Sequence, residues 1–278
     1  MTLRDILVHV DESKACGKRL EAAALLAQKH RARLTGLYVI TPVPMPAYAG
    51  SALPTEVFER QKEATKAAAQ EAESSFGTIT QPYQLDTDWQ LDKGDLADRI
   101  SAHSRYADLL VIGQAERDVL GYAPGTSTQD RVVLECGRPV MLIPYSGSQE
   151  TIGDRILVAW NGSLEAVRAI NDALPLLKMA REVTLFAISS RSDAETENAM
   201  GNEDMRDHLT RHDVTVTAEV VQGKNRHAGN ILLSNAAEHD TDLIVMGAYG
   251  HPRVCEWALG GATRHMLQHM TVPVLMSH

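Results

Sequence analysis

The chain has little that would tie it to an oxidising compartment, a membrane or a polyanion. Among 278 residues there are three cysteines, Cys16, Cys136 and Cys255, far apart and with no C-x-x-C pair. That odd, scattered set offers no disulfide framework and predicts reduced thiols in a cytoplasmic protein. Positive charge is in deficit: 27 Lys and Arg stand against 36 Asp and Glu, a formal charge of −9, and no Lys/Arg run reverses it locally. An acidic surface repels polyanions, so neither nucleic acid nor an anionic membrane is expected as a partner. Nor does any apolar run approach the roughly 18 residues that a spanning helix needs. The opening MTLRDILVHV carries Asp5 beside a short apolar run and reads as a first strand rather than a signal peptide.

What the chain does have is a repeat. DILVHVDES, from Asp5 to Ser13, aligns with RILVAWNGS, from Arg155 to Ser163, 150 positions on. ADLLVIG, ending at Gly113, aligns with TDLIVMG, ending at Gly247, and PVMLI from Pro139 aligns with PVLMS from Pro273, both 134 positions on. Three ordered matches, two of them in one register, mark a tandem duplication. We place one domain over residues 1–146 and a second over 152–278, with the polar, turn-rich YSGSQETIG at 145–153 as linker.

Each half alternates strand and helix. The first predicts strands near 4–10, 34–40, 85–91, 108–113 and 139–143, and helices near 14–30, 55–75, 95–105 and 126–136. The second predicts strands near 154–160, 182–188, 214–221, 242–247 and 273–277. Runs such as LLVIG and LIVMG lack polar alternation, as strands covered on both faces do. The fold class is therefore α/β: two tandem, doubly wound, five-stranded parallel-sheet domains of Rossmann-like type. TPVPMPAYAGSALP, at 41–54, holds four prolines and predicts a surface loop.

In such a sheet, ligands sit at the carboxyl ends of the strands where strand order reverses. Asp11 and Asn161 end the first strands of the two halves, and Gly247 ends the fourth strand of the second. Gly250, Gly260 and Gly261 follow, the last two opening the final helix. A glycine loop lets backbone N–H groups approach a phosphate, and a helix N-terminus adds free N–H groups and a favourable dipole. The expected chemistry is anion binding by backbone.

Two halves of this layout, with G-x2-G-x9-G at Gly247, Gly250 and Gly260, resemble a tandem universal stress protein of the UspA type over essentially the whole chain. The resemblance implies an adenine-nucleotide alpha-hydrolase-like fold. It also implies ATP or another adenine nucleotide, with Mg or Mn, held by Ala159, Asn161, Ile188, Met246, Gly247, Gly250, Gly260, Gly261 and Ala262. Two positions depart from the family pattern: Gly261 stands where Ser or Thr is usual, and Asn161 where Asp is usual. At an offset of 134 the first half has Glu116, Thr126 and Ser127 in place of the glycines, so it is expected to bind no ATP and to serve as partner in an intrachain pseudo-dimer. The resemblance further implies antiparallel pairing of the two last strands, and leaves room for a homodimer of chains.

The implied function is a nucleotide-binding regulator of the stress response. A non-nucleotide-binding assembly module with a vestigial site is the alternative. Enzymatic activity finds no support beyond a slow ATPase, because the one acid near the loop that could act as base is Glu256. His265 and His269 have helical i, i+4 spacing but no third ligand, so no metal site is assigned to them. Cys255 reads as a small packed residue, and Trp160 and Trp257 as core.

Overall fold

The computed structural model describes residues 2–42, 55–114, 127–146, 151–189, 202–223, 228–250 and 261–278. In the first half the elements are β1 (Asp5–Val10), α1 (Cys16–His30), β2 (Arg33–Ile40), α2 (Thr55–Thr80), β3 (Thr87–Lys93), α3 (Leu96–Ser104), β4 (Leu109–Gly113), α4 (Thr128–Glu135) and β5 (Val140–Ile143). The second half has β6 (Arg155–Trp160), α5 (Leu164–Leu177), β7 (Glu182–Ser189), α6 (Asn202–Arg211), β8 (Val216–Gln222), α7 (Ala228–Glu238), β9 (Leu243–Gly247), α8 (Gly261–His269) and β10 (Val274–Ser277). The expected four-proline loop lies almost wholly outside the described residues. α2 runs five residues past its expected end because Phe76, 4% exposed, continues the buried stripe and meets Trp89 at 5.6 Å between ring centroids.

Strand order is β3-β2-β1-β4-β5-β10-β9-β6-β7-β8 in one ten-stranded sheet. Every neighbour pair is parallel except β5 with β10, which run antiparallel with Leu275 opposite Met141. The last strands thus join the halves within one chain. Both are buried along their length, which explains why PVMLI and PVLMS contain no polar alternation. Order reverses between β1 and β4 in one half and between β6 and β9 in the other, giving two crevices at carboxyl ends.

The pleat divides the core between two faces. Ile6, Val8 and Val10 of β1 join the cluster under α1, α2, α5 and α6, while Leu7 joins the one under α3, α4, α7 and α8. The repeated Asp before β4 and β9 has a structural task. Asp108 accepts the backbone N–H of Arg4 and Asp5 at 2.7 and 3.1 Å. Asp242 accepts those of Gly153, Asp154 and Arg155 at 3.0, 3.0 and 2.9 Å. Each carboxylate holds the start of the half's first strand beside its fourth and so fixes the pair that flanks the crevice.

Candidate functional site

In the second half the crevice opens between the ends of β6 and β9. Ala159 and Met246 are neighbours across that pair, and Ile188 lies near the end of β7. Together with Ala262 in the first turn of α8, they share the sheet face that carries α7 and α8. Asn161 follows β6 directly, is exposed, and accepts the Ser163 N–H at 3.1 Å. Ser163 caps α5 by accepting from the Ala166 N–H at 3.2 Å. Gly260 lies outside the described residues, as do His251, Cys255, Glu256 and Trp257. Trp160 is 7% exposed and packs on the opposite face from Ala159, in the core beside α5.

The three described glycines face different surroundings. A Cβ on Gly247 would come within 2.5 Å of the Ala166 nitrogen and 2.6 Å of the Glu165 carbonyl carbon, so this glycine lets the first turn of α5 lie directly on β9. A Cβ on Gly250 would meet the Glu165 carboxylate at 2.6 Å and the Ser163 hydroxyl at 3.3 Å. On Gly261 it would meet nothing within 4 Å among the described residues.

The loop after β9 is tied down on three sides. The Ala248 N–H donates to the Ser277 carbonyl at 2.9 Å, and the Ala248 carbonyl contacts the His278 ring nitrogen at 3.0 Å. Tyr249 takes a left-handed backbone conformation, φ 58°, and its N–H donates to the buried Thr263 hydroxyl at 3.2 Å. Thr263 therefore holds the loop. The Tyr249 hydroxyl donates to Asp130 at the start of α4, so this loop reaches the other half of the molecule.

Sequence reasoning missed Glu165, Tyr249 and Arg264. An acid in a helix's first turn is common enough that Glu165 gave no signal. Arg264 could have been found by extending the 134-position offset, which sets it against Asp130.

The first-half crevice is filled. Arg19, 2% exposed, sends its Nε to the His9 carbonyl at 2.7 Å and Nη2 to Asp11 at 2.8 Å. Its guanidinium also lies against Gly113, the counterpart of Gly247. Burial alone would raise the Asp11 carboxyl, but Arg19, the Ser13 hydroxyl and His9 together outweigh it and hold it below the usual carboxylate range. Burial, and then the Arg19 charge, pull His9 down from 6.5 to about 4 against the opposing influence of Asp11. At an offset of 150, His9, Asp11 and Arg19 correspond to Ala159, Asn161 and Ala169. The offset is secure through the helices: buried Cys16, Arg19, Leu20 and Ala23 face buried Ala166, Ala169, Ile170 and Ala173.

The helix N-termini differ as well. In α4, Ser127 accepts the Asp130 N–H at 3.0 Å while Asp130 returns a bond to the Ser127 N–H at 3.2 Å, a complete capping box with its own carboxylate. α8 has no acid in its first turn, and Arg264 takes the place of Asp130. Among the described residues Arg264 makes no ion pair.

The sequence profile of the universal stress protein family matches residues 2–144 and again 153–278. A universal stress protein of Mycolicibacterium smegmatis is 25% identical over 289 residues, spanning 98% of this chain and 96% of the relative. One from Synechocystis is 21% identical over 171 residues, 60% of this chain and 57% of that protein. The crystal structure of a universal stress protein from Archaeoglobus fulgidus shares the fold with a TM-score of 0.76 at 18% identity, covering 98% of this chain and 96% of that one. Among the described residues no helix is long and apolar enough to cross a membrane, and no group of three or more His, Cys, Asp or Glu is placed to hold a metal ion.

Proposed function

The chain belongs to the universal stress protein family, and on that premise we propose that it acts as a stress-response regulator whose second half, residues 152–278, binds ATP or a related adenine nucleotide. The observation that carries this reading is the contrast between crevices: side chains that fill the first are replaced in the second by Ala159, Asn161 and Ala169. The adenine would lie near Ala159, Ile188 and Met246, where small and apolar side chains meet at the strand ends. The phosphates would reach the loop of Gly247 and Gly250 and the N-terminus of α8 at Gly261 and Ala262, with Gly260 between them in sequence. Backbone N–H groups and the helix dipole stabilise anions there, and Arg264 adds a cation to the same turn.

The residues present also suit a divalent cation. Asn161 lacks the carboxylate charge usual at its position, but Glu165 and Ser163 put hard oxygen donors beside Gly250. Mg or Mn bound with the nucleotide would offset the repulsion between Glu165 and the phosphates. The first half, residues 1–146, serves as the pseudo-dimer partner and binds no nucleotide. Because β5 and β10 satisfy one another, a homodimer of chains would have to use another surface.

The test is to denature the purified protein and identify released nucleotide by mass spectrometry, beside a Gly250→Asp variant. That substitution drives a second carboxylate against Glu165 in the loop. An adenine nucleotide near one per chain, absent from the variant, is the expected result. A protein that is empty as purified and also fails to take up added ATP overturns the reading and leaves an assembly module with a vestigial site.

A further inference from the structure

The outer edge of the first half carries a hollow under α2, on the sheet face opposite α3 and α4. α2 has 26 residues, about 39 Å of helix, whereas the seven residues of β3 span about 23 Å, so the helix overhangs the strand on which it packs. Its later part is seated: Ala69, Ala72 and Phe76 are buried in the core. From residue 56 to residue 68 no side chain is buried, although Val57 and Phe58 are large and apolar. This part of the helix and the ends of β2 and β3 line an open hollow of about 660 Å³. That volume falls in the range of small-molecule sites.

The walls combine two chemistries. Ile40, Phe58, Trp89 and Leu91 make the lining largely apolar, and Leu91 is left 53% exposed on the edge strand. Lys62, Lys66 and Lys93 line the same hollow, and Glu73 is the one acid among its described lining residues. None of the three lysines makes an ion pair among the described residues. Three cations gathered with no ion pair among the described residues are unexpected in a chain of formal charge −9. Lys62 and Lys66 are one helical turn apart, and Lys93 ends β3. The β2–α2–β3 crossover sets the start of α2 beside the carboxyl ends of those strands, so the basic groups share one end of the hollow. Glu73 lies about 10 Å farther along the helix axis, towards the Trp89 end.

We propose that this hollow binds a single-chain anionic amphiphile, a fatty carboxylate whose chain lies against Leu91 and Trp89 and whose carboxylate is held by Lys62, Lys66 and Lys93. The apolar walls disfavour a small inorganic anion, which could not cover them. The basic end disfavours a neutral or cationic head, which would leave the lysines uncompensated. The lysine stems extend the apolar surface towards the carboxylate. This site does not depend on the nucleotide reading, since no residue is common to both.

The probe is dodecanoate, titrated into the full-length protein below its micelle concentration, by calorimetry and by tryptophan fluorescence. Saturation near one per chain is expected, with the fluorescence change lost in Trp89→Phe while the calorimetric binding persists. Dodecyltrimethylammonium and dodecyl maltoside should bind roughly tenfold more weakly or not at all. Lys62→Glu/Lys66→Glu, on an exposed helix face, and Leu91→Glu, at an exposed edge position, should each weaken dodecanoate binding by roughly tenfold with the melting curve unchanged. Equal affinity for all three head groups overturns the proposal, as does binding that neither charged variant alters. A dimer in light scattering that dodecanoate cannot dissociate and Leu91→Glu can would overturn it too, giving the hollow to a second copy of the chain.

Discussion

At the end of β1, His9, Asp11 and Arg19 occupy the crevice; at the end of β6 their counterparts are the smaller, uncharged set Ala159, Asn161 and Ala169. The two halves otherwise share strand order, helix placement and even the carboxylate that pins the first strand to the fourth. The comparison teaches that a duplicated fold can keep its frame while the side chains that line its two crevices diverge. The first copy balances its charges internally: Arg19 is paired with Asp11, and Asp130 faces the N-terminus of α4. In the second copy the same helix position carries Arg264, and Gly261 stands where α4 has its capping serine.

The largest effect should come from breaking the ion pair that occupies the first crevice. Arg19 is the buried member, at 3% side-chain exposure against 31% for Asp11, so removing the carboxylate strands a charge in the core. Asp11→Ala should cost about 3 kcal/mol or somewhat more. The matching Asn161→Ala in the second half loses one turn hydrogen bond at an exposed site and should cost about 1 kcal/mol or less. Adding Arg19→Met to Asp11→Ala should recover much of the loss, because an apolar replacement removes the stranded charge. Chemical denaturation of the four proteins measures all of this; equal costs in the two halves would mean that the pair does not stabilise the first crevice.

Next is the pH dependence of the same cluster. His9 has a folded value of about 4 against an unfolded value near 6.5. Its stabilising contribution is complete above pH 6.5 and is lost as pH falls towards 4, because the unfolded chain takes up a proton that the folded one refuses. The loss over that window is about 3 kcal/mol. His30, also pulled to about 4, first by burial and then by Lys29, acts in the same direction. Asp11 works in a lower window: its depressed folded value adds stability that is complete above about pH 3.8 and is lost as pH falls from there through the lower folded value. His9→Gln should flatten the denaturation midpoint between pH 6.5 and 4 beside an unchanged His30 contribution. A slope identical to that of the parent protein would show that His9 is not the buried neutral group described here.

The frame was legible in the sequence because duplication doubled each signal. DILVHVD and RILVAWN fix the first strands, and the paired Asp-Leu runs fix the fourth. The crevice was legible in its position but less so in its reasons. The glycine pattern suggests that Gly247 makes room for the near end of a nucleotide, whereas the surface that would meet its side chain is the backbone of α5. Arg19 stood in plain view at an apolar position of the α1 stripe, yet what it does depends on tertiary partners that no local pattern encodes. Glu165 escaped for a related reason: its carboxylate meets Gly250 only after β9 and α5 have come together, 85 positions apart in the chain.

The smallest predicted effect is also the sharpest probe of the second crevice. A side chain on Gly261 would meet no described residue, and this glycine lies at the first position of α8. A hydroxyl placed there by Gly261→Ser would face the N–H groups that the helix leaves unsatisfied, where the proposed phosphates arrive. In α4 the serine at the matching position is claimed by Asp130, but α8 offers no such acid, so the new hydroxyl stays available to a ligand. One added hydrogen bond contributes about 0.5–1.5 kcal/mol, or roughly threefold to tenfold tighter ATP binding by calorimetry on nucleotide-free protein. The substitution also removes a glycine from a helix, so the unliganded protein should melt slightly higher. Those two changes must be read separately: a raised melting point with unchanged ATP affinity would move the phosphates away from α8, whereas tighter binding ties them to the helix whose counterpart in the first half is already capped by its own carboxylate.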